Sequence, residues 1–222
     1  MTVYISDTFD RANANGWGTA DGGADTNKAW DGGTTNFAIS GNKGKVNGTW
    51  NSLGNIIGDT QAASRDLIAT FGTIDSFRYI VIYPCYIDDT HNYRCYYNGS
   101  AFKLYKSTPT NPYDYELQTV AKSGFTTAKM RIQYIISGTS VQLRANIWES
   151  SGSEPGTWAL DYTETVAARV GTLDPIIGAA KFGIRAGNGD HQIMVDDFSC
   201  QSYTAPATVV IAANMNAYRQ RH

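Results

Sequence analysis

The stretch "KMRIQYIISGTSVQLRANIW", from Lys129 to Trp148, carries the clearest indication of the fold. Apolar and polar residues alternate with a period of two on both sides of the turn residues "SGTS". Because successive side chains of a strand point to opposite faces of a sheet, this pattern predicts a β-hairpin. The face expected to pack against the core carries Met130, Ile132, Tyr134, Ile136, Val141, Leu143, Ala145 and Ile147.

Similar patterns lie on either side of this hairpin. "YYNGSAFKLYK" predicts a second hairpin, in which Asn98-Gly99 supplies the positive φ angles of a tight turn. "FRYIVIYPCYI" is apolar on both faces and predicts a central strand that is covered on both sides. Its Pro84 cannot donate a backbone hydrogen bond, so a bulge or an edge position is expected there. Further strands are expected over Asp66–Phe71, Lys181–Ala186 and Ile193–Cys200.

The rest of the chain also favours strands and turns. The whole chain has 22 glycines and 14 tyrosines, and no segment has a sustained period of 3.6 residues; at most "TLDPII" makes a helical turn. We expect an edge strand near Phe9 and short strands near Phe37–Ser40 and Lys45–Trp50. The sequence therefore predicts an all-β domain of two packed sheets over residues 1–203. Residues 204–222 form a linker and tail, either disordered or an attachment segment.

Charge and hydropathy exclude several classes of function. The net charge is −2 and there is no run of Lys or Arg, which argues against nucleic acid and anionic membranes as partners. No stretch approaches the ~18 apolar residues of a membrane-spanning helix, so no membrane insertion is expected. The first residues, "MTVYISDTF", do not resemble a signal peptide. We expect a virion or extracellular setting, reached by lysis or as part of a larger particle.

The three cysteines leave two readings open. If "PCYIDDTHNYRC" folds back at Thr90, Cys85 lies opposite Cys95 and a cross-strand disulfide is conceivable. Free buried thiols are favoured, because cysteines are few and no signal peptide precedes them. No Cys-x-x-Cys motif or Cys/His cluster indicates zinc.

Three stretches together resemble a known group. They are "DTFDRANANGWGTADGG" (Asp7–Gly23), "IWESSGSEPGTW" (Ile147–Trp158) and "FGIRAGNGDHQIMVDDFSC" (Phe182–Cys200). In this order and spacing they are similar to the concanavalin A-like lectin/glucanase (LamG-like) modules of bacterial extracellular and bacteriophage structural proteins. The resemblance implies a jelly-roll β-sandwich of two antiparallel sheets with a concave face. It does not fix the function, since this fold hosts lectins, hydrolases and structural modules.

The polar face of the first hairpin is the predicted ligand-binding surface. Amide and guanidinium groups beside an aromatic ring suit the hydroxyls and C–H faces of a sugar. Tyrosines of "YIDDTHNYRCYY" could extend this surface; alternatively, it is only the solvated face of a sheet. Trp158 is expected to plug one end of the sandwich and Trp17 to lie in the core. The predicted ligand-binding residues are Arg131, Gln133, Arg144, Asn146 and Trp148.

Catalysis is not expected. A glucanase of this fold needs two or three carboxylates on one strand face, and the E-x-D-x-x-E pattern is absent. The pair Asp114 and Glu116 shares a strand face but is expected to be a solvated edge. The three histidines are dispersed, with no nucleophile motif beside them. Other carboxylates occur at Asp88, Asp89, Glu149 and Glu154.

A structural calcium ion is a possible cofactor. Calcium binds several oxygens, and pairing of the first and last strands would bring Asp7 and Asp197 together. The alternative is that one of these carboxylates pairs with Arg11 and caps a turn.

The favoured function is a non-catalytic, lectin-like carbohydrate-binding module, a receptor-recognition or adhesive part of a bacteriophage particle. Its partners would be a glycan or cell-surface polysaccharide and, through the tail, other virion subunits. The alternative is a purely structural virion, decoration or oligomerisation domain without a small ligand. A glycan hydrolase ranks third.

Overall fold

The computed structural model describes residues 2–24, 29–30, 37–47, 55–57, 63–72, 79–171, 173–178, 180–187, 192–203 and 205. For residues 47, 55–57, 111–114, 186–187 and 192 only the backbone is described. The strands of these ranges are β1 (Val3–Asp7), β2 (Ala14–Asn15), β3 (Phe37–Ile39), β4 (Gly44–Asn47), β5 (Asn55–Ile57), β6 (Arg65–Gly72), β7 (Tyr79–Asp88), β8 (His91–Tyr97), β9 (Ala101–Thr108), β10 (Asn111–Ala121), β11 (Ala128–Ser137), β12 (Ser140–Glu149), β13 (Leu160–Glu164), β14 (Lys181–Gly187) and β15 (Gln192–Ser202).

The strands form two antiparallel sheets. One has nine described strands in the order β13-β12-β11-β6-β15-β4-β3-β2, with β1 also paired to β15. The other has six, in the order β10-β9-β8-β7-β14-β5. No helix occurs within the described ranges, and none there could span a bilayer. The predicted all-β sandwich is confirmed.

The predicted hairpin Lys129–Trp148 is formed by β11 and β12. Their register pairs Lys129 with Trp148 and Ser137 with Ser140, and Gly138 in the turn has a φ of 59°. Seven of the eight residues expected on the inner face are buried; Ile136 is half-buried against the core. The period of two therefore predicted both the hairpin and its facing.

The core lies between the sheets. Tyr93 of β8 faces Tyr134 of β11 with ring centroids 6.2 Å apart, and Phe182 of β14 stacks on Phe198 of β15 at 6.1 Å. Apolar side chains of both sheets belong to one buried cluster. At one end, Trp17 packs against Phe9 and Phe37 and is buried, as predicted.

A bulge at Pro84 changes the facing of β7. Ile82 pairs with Cys95 and Cys85 with Tyr93, so β7 has one extra residue here, and the register with β14 shifts at the same place. The predicted bulge is confirmed, in a central strand. Because of the extra residue, Cys85 packs into the core, whereas Tyr86 lies on the outer face with Tyr83.

A buried ion pair fixes the segment after β13. Lys106 donates to Oε1 of Glu164 at 2.6 Å, and both side chains are fully buried. Lys106 also donates to the carbonyls of Leu173 and Asp174, at 2.7 and 3.2 Å. Leu173 and Asp174 are thereby bound to β9.

Several local expectations need correction. Residues 173–177 of the expected helical turn are not helical, and residue 172 lies outside the described ranges. The strand expected near Phe9 is β1, which ends at Asp7. In the β8–β9 turn only Gly99 has a positive φ; Asn98 instead accepts hydrogen bonds from the backbone N–H groups of residues 100 and 101 through its side-chain oxygen.

The cysteines and the C-terminal residues can also be compared with what the sequence predicted. Cys85, Cys95 and Cys200 are buried thiols that form no disulfide, as favoured above. Burial raises the pKa of the Cys85 thiol to about 11, so it is protonated at neutral pH. The last strand ends at Ser202. The tail, residues 204–222, falls outside the described residues except for residue 205, so its role stays a prediction.

Candidate functional site

The five predicted ligand-binding residues all lie on the outer face of the nine-stranded sheet, over β11 and β12. We call this surface the hairpin face. Arg131, at its centre, donates from Nε and Nη2 to the two oxygens of Asp66, at 2.8 and 2.5 Å. Its Nη1 donates to both oxygens of Glu154, at 3.0 and 2.7 Å. These hydrogen bonds raise the pKa of Arg131 and fix its guanidinium between two carboxylates.

The neighbouring polar groups are also engaged within the protein. Gln133 donates to Asp66 at 3.2 Å, and Nε of Arg144 donates to Asp161 at 3.2 Å. Asn146 is buried and accepts a hydrogen bond from the N–H of Ala159 at 2.8 Å. The side chains that were expected to bind sugar hydroxyls thus hold the sheet and the following loop together.

Neither Trp148 nor Trp158 has the environment predicted for it. Trp148 faces outward by register but is only 7% exposed, so it does not offer the exposed ring expected of it. Trp158 does not plug the sandwich; it is half-buried beneath the guanidinium of Arg131, which lies 5.6 Å from the ring centroid. A pocket of about 300 Å³ is lined by Arg131, Asn146 and residues 154–158.

A second surface lies on the outer face of the six-stranded sheet, and we call it the tyrosine face. Val81 and Tyr83 are buried there in an apolar cluster separate from the core. Around them the rings of Tyr79 and Tyr96 stack at 5.8 Å, and those of Tyr83 and Tyr86 meet edge-on at 5.4 Å. The outward side chains of this face are Tyr79, Val81, Tyr83, Tyr86, Arg94, Tyr96, Lys103, Tyr105 and Arg185.

Register builds the tyrosine face from neighbouring strands. Val81 lies between Arg185 of β14 and Tyr96 of β8, and Tyr96 pairs with Lys103 of β9. Alternation separates the tyrosines of "YIDDTHNYRCYY": Tyr86 and Tyr96 face outward, whereas Tyr93 and Tyr97 are fully buried. These tyrosines do not extend the hairpin face as expected, because they belong to the opposite sheet.

Cationic groups lie among these rings. The guanidinium of Arg185 is 5.9 Å from the ring centroid of Tyr79, and that of Arg94 is 5.5 Å from Tyr105. Lys103 pairs with Glu116 at 2.8 Å, and Arg94 donates to Ser107 at 3.0 Å. Arg185 differs from both: its Nε is buried without a hydrogen-bond partner, and no described carboxylate pairs with it.

The protonation states of this face are settled by burial and neighbours. Burial lowers the pKa of Arg185, but interactions with Tyr83 and Tyr79 outweigh it, so that the net pKa is raised and the guanidinium stays charged. Burial raises the pKa values of Tyr86 and Tyr96. Their hydroxyls are therefore protonated at neutral pH and can donate hydrogen bonds.

The residues predicted to hold calcium line one groove on the nine-stranded sheet. Asp7 is buried, and its two oxygens accept from Arg11 at 2.8 and 2.9 Å; Oδ2 also accepts from the indole N–H of Trp30 at 2.7 Å. Within the described ranges, no group of three His, Cys, Asp or Glu side chains is placed to hold a metal. As it lies, Asp7 fits an ion pair with Arg11 better than a calcium site.

The carboxylates considered for catalysis have structural partners. Glu149 accepts a hydrogen bond from the N–H of Thr127 at 3.2 Å, and Glu154 pairs with Arg131. Asp88 contacts His91 at 3.0 Å, and Asp89 accepts from the hydroxyl of Tyr86 at 3.0 Å. The side chain of Asp114, like His191 and His222, lies outside the described residues. Lack of catalysis stays a prediction.

Comparison with known proteins bears on the fold. No protein-family model matches the sequence, and no curated protein matches it either. Among solved structures, a xylan β-1,4-xylosidase from Bacillus halodurans is similar with a TM-score of 0.57 and 10% identity, over 89% of this chain and 39% of that one. The Bacteroides ovatus protein described as xyloglucan PUL GH43B gives 0.54 and 16%, over 91% and 40%.

A third similar structure matches over nearly its whole length. The Bacillus licheniformis β-glucanase has a TM-score of 0.52 and 11% identity, over 91% of this chain and 99% of that one. The chain spans about two fifths of the length of the other two proteins. The resemblance to the concanavalin A-like lectin/glucanase group is confirmed for the fold, and at such identities for the fold alone.

Proposed function

We propose that the protein is a non-catalytic carbohydrate-binding module and that it binds a saccharide on the tyrosine face. The observation that carries this proposal is the second apolar cluster, in which Val81 and Tyr83 are buried although they face away from the core. Three half-buried tyrosines surround them. The solvated face of a sheet has no need of such a cluster, since polar side chains suffice there.

The chemistry of the tyrosine face suits a sugar. Tyrosine rings can pack against the apolar C–H face of a pyranose, while their hydroxyls reach its polar edge. Arg94, Lys103 and Arg185 supply N–H donors beside those rings. In support, two proteins of similar fold are named for glycan chemistry, a xylan β-1,4-xylosidase and a β-glucanase.

The affinity of a single site should be low. An open face removes few polar contacts from water, so a dissociation constant in the ~micromolar to millimolar range is expected. Several copies on one particle would raise the avidity. This is the reason for keeping the virion or extracellular setting, with glycan and particle subunits as partners, as part of the proposal.

A glycan array tests the proposal, with the protein displayed in multivalent form. Wild type, Tyr96→Ala and Trp158→Ala are compared at equal coupling. We expect wild type to bind a defined set of glycans, Tyr96→Ala to lose that signal, and Trp158→Ala to keep it. Thermal unfolding of each variant shows whether it is folded. No signal from folded wild type would contradict carbohydrate binding and favour a purely structural module.

The hairpin face is the competing location, since its pocket contains Trp158, Arg131 and Asn146. Loss of the array signal in Trp158→Ala, with retention in Tyr96→Ala, would move the site to that pocket. We favour the tyrosine face because Arg131 already contacts Asp66, Glu154 and Trp158. A ligand there would have to compete with those contacts.

A further inference from the structure

Arg185 is the polar group of the tyrosine face that the fold itself does not explain. Its Nε is buried without a hydrogen-bond partner, and the groups that interact with its guanidinium are the phenols of Tyr79 and Tyr83. A buried donor left unsatisfied costs stability, and the cost is larger when the group is charged. Polar groups that break the rules of a stable fold are expected at functional sites, where a ligand can complete them.

The other charges of this face do not supply the missing partner. Glu116 pairs with Lys103 and lies on the far side of β9 from β14. Asp88 and Asp89 sit in the β7–β8 turn, where they bind His91, Thr90 and Tyr86. Two strands separate Arg185 from Lys103 in the register row, with Val81 and Tyr96 between them. The uncompensated positive charge therefore lies beside the tyrosine cluster.

We infer that the saccharide bound by the tyrosine face is anionic, and that its sugar carboxylate pairs with the guanidinium of Arg185. This inference rests on the proposed function, because it names the ligand class of the same site. A guanidinium offers a planar pair of N–H donors that matches a carboxylate, and the phenols of Tyr79 and Tyr83 can bind the same anion. The tyrosine rings then hold the sugar ring that carries the carboxylate.

The uronic acids and the sialic acids are two kinds of sugar that carry such a carboxylate. The experiment therefore uses trigalacturonate and sialyllactose, each as the free acid and as the methyl ester. Esterification removes the negative charge and leaves the sugar rings unchanged. Binding of wild type, Arg185→Gln and Arg169→Gln is measured by titration calorimetry or by NMR. Arg169 is exposed and pairs with Asp174 outside both faces, so its variant controls for the loss of one positive charge.

We expect wild type to bind at least one free acid about tenfold or more tightly than its ester, the effect of a hydrogen bond to a charged group. Arg185→Gln should bring the acid to the affinity of the ester and leave binding of the ester within about twofold. Arg169→Gln should change neither. Added salt should weaken binding of the acid more than that of the ester.

The contrary outcomes separate this inference from the proposed function. If wild type binds acid and ester equally, the ligand is not chosen by its carboxylate, and the inference is wrong while carbohydrate binding stands. An equal loss for acid and ester in Arg185→Gln would likewise overturn it. If none of these probes binds but the protein binds neutral glycans on the array, the inference is wrong and the proposed carbohydrate binding stands. If neither the probes nor the array show binding, both fail.

Discussion

The outer faces of the two sheets use arginine in opposite ways. On the hairpin face, Arg131 is held by Asp66 and Glu154 and covers Trp158. On the tyrosine face, Arg185 has no described carboxylate partner and lies among phenols. The first arrangement fastens a loop to a sheet, and the second leaves a charge for something else to neutralise. The type of a polar residue therefore does not by itself indicate a binding site. What matters is whether the residue already has partners within the protein.

The largest effect on stability is expected where a charge is fully enclosed. Lys106→Met would leave the carboxylate of Glu164 buried without its cation, which should lower the free energy of unfolding by about 3–5 kcal/mol. Lys103→Met, on the same strand, removes a partly exposed pair with Glu116 and should cost less than about 1 kcal/mol. Urea unfolding of both variants measures the difference. Equal losses would show that Glu164 is not held as described.

A matched pair of variants, Arg131→Met and Arg185→Met, tests the difference between the two arginines directly. Arg131→Met leaves Asp66, which is 3% exposed, without its main partner. We expect a loss of about 2–3 kcal/mol, less than for a fully buried pair because Arg131 is itself a quarter exposed. Arg185→Met leaves no described carboxylate unpaired and removes a buried donor that has no partner, so its free energy of unfolding should fall no more than about 0.5 kcal/mol below that of wild type. Should Arg185→Met prove the more damaging of the two, Arg185 is structural.

The smallest effect is expected from calcium at the groove that contains Asp7, where the carboxylate already has a partner. Because Arg11 already neutralises Asp7, millimolar calcium should shift the melting temperature by less than about 1 °C relative to EDTA. Differential scanning fluorimetry with and without calcium measures this. A rise of several degrees that is lost in Asp197→Asn would mean that an ion competes with Arg11, as the sequence had suggested.

The sequence predicted what depends on periodicity. Alternation gave the facing of Lys129–Trp148, and the missing N–H of Pro84 gave the bulge in β7. Periodicity could not predict that Asp66 and Glu154 would pair with Arg131, because these residues lie 65 and 23 positions away along the chain. Nor does alternation distinguish an outward residue from an exposed one, as buried Trp148 shows.

The tyrosine face did leave a signal in the sequence. "FRYIVIYPCYI" has apolar residues on both faces, and its outward set contains Tyr79, Tyr83 and, after the bulge, Tyr86. We interpreted it as a strand covered on both sides, because such a pattern fits a buried strand and an aromatic surface equally well. The position of Arg185 beside Val81 follows from the pairing of β14 with β7, which no local pattern specifies.

The most direct test of the central claim, that the tyrosine face is the binding face, is an NMR titration of arginine side chains. Protein labelled with ¹⁵N-arginine is titrated with the saccharide that gives the strongest array signal, and the Nε–H resonances are assigned with single arginine variants. The account predicts the largest shifts at Arg185 and Arg94, with Arg131 and Arg144 unchanged. Shifts concentrated at Arg131 and Arg144 would contradict it and place the ligand on the hairpin face.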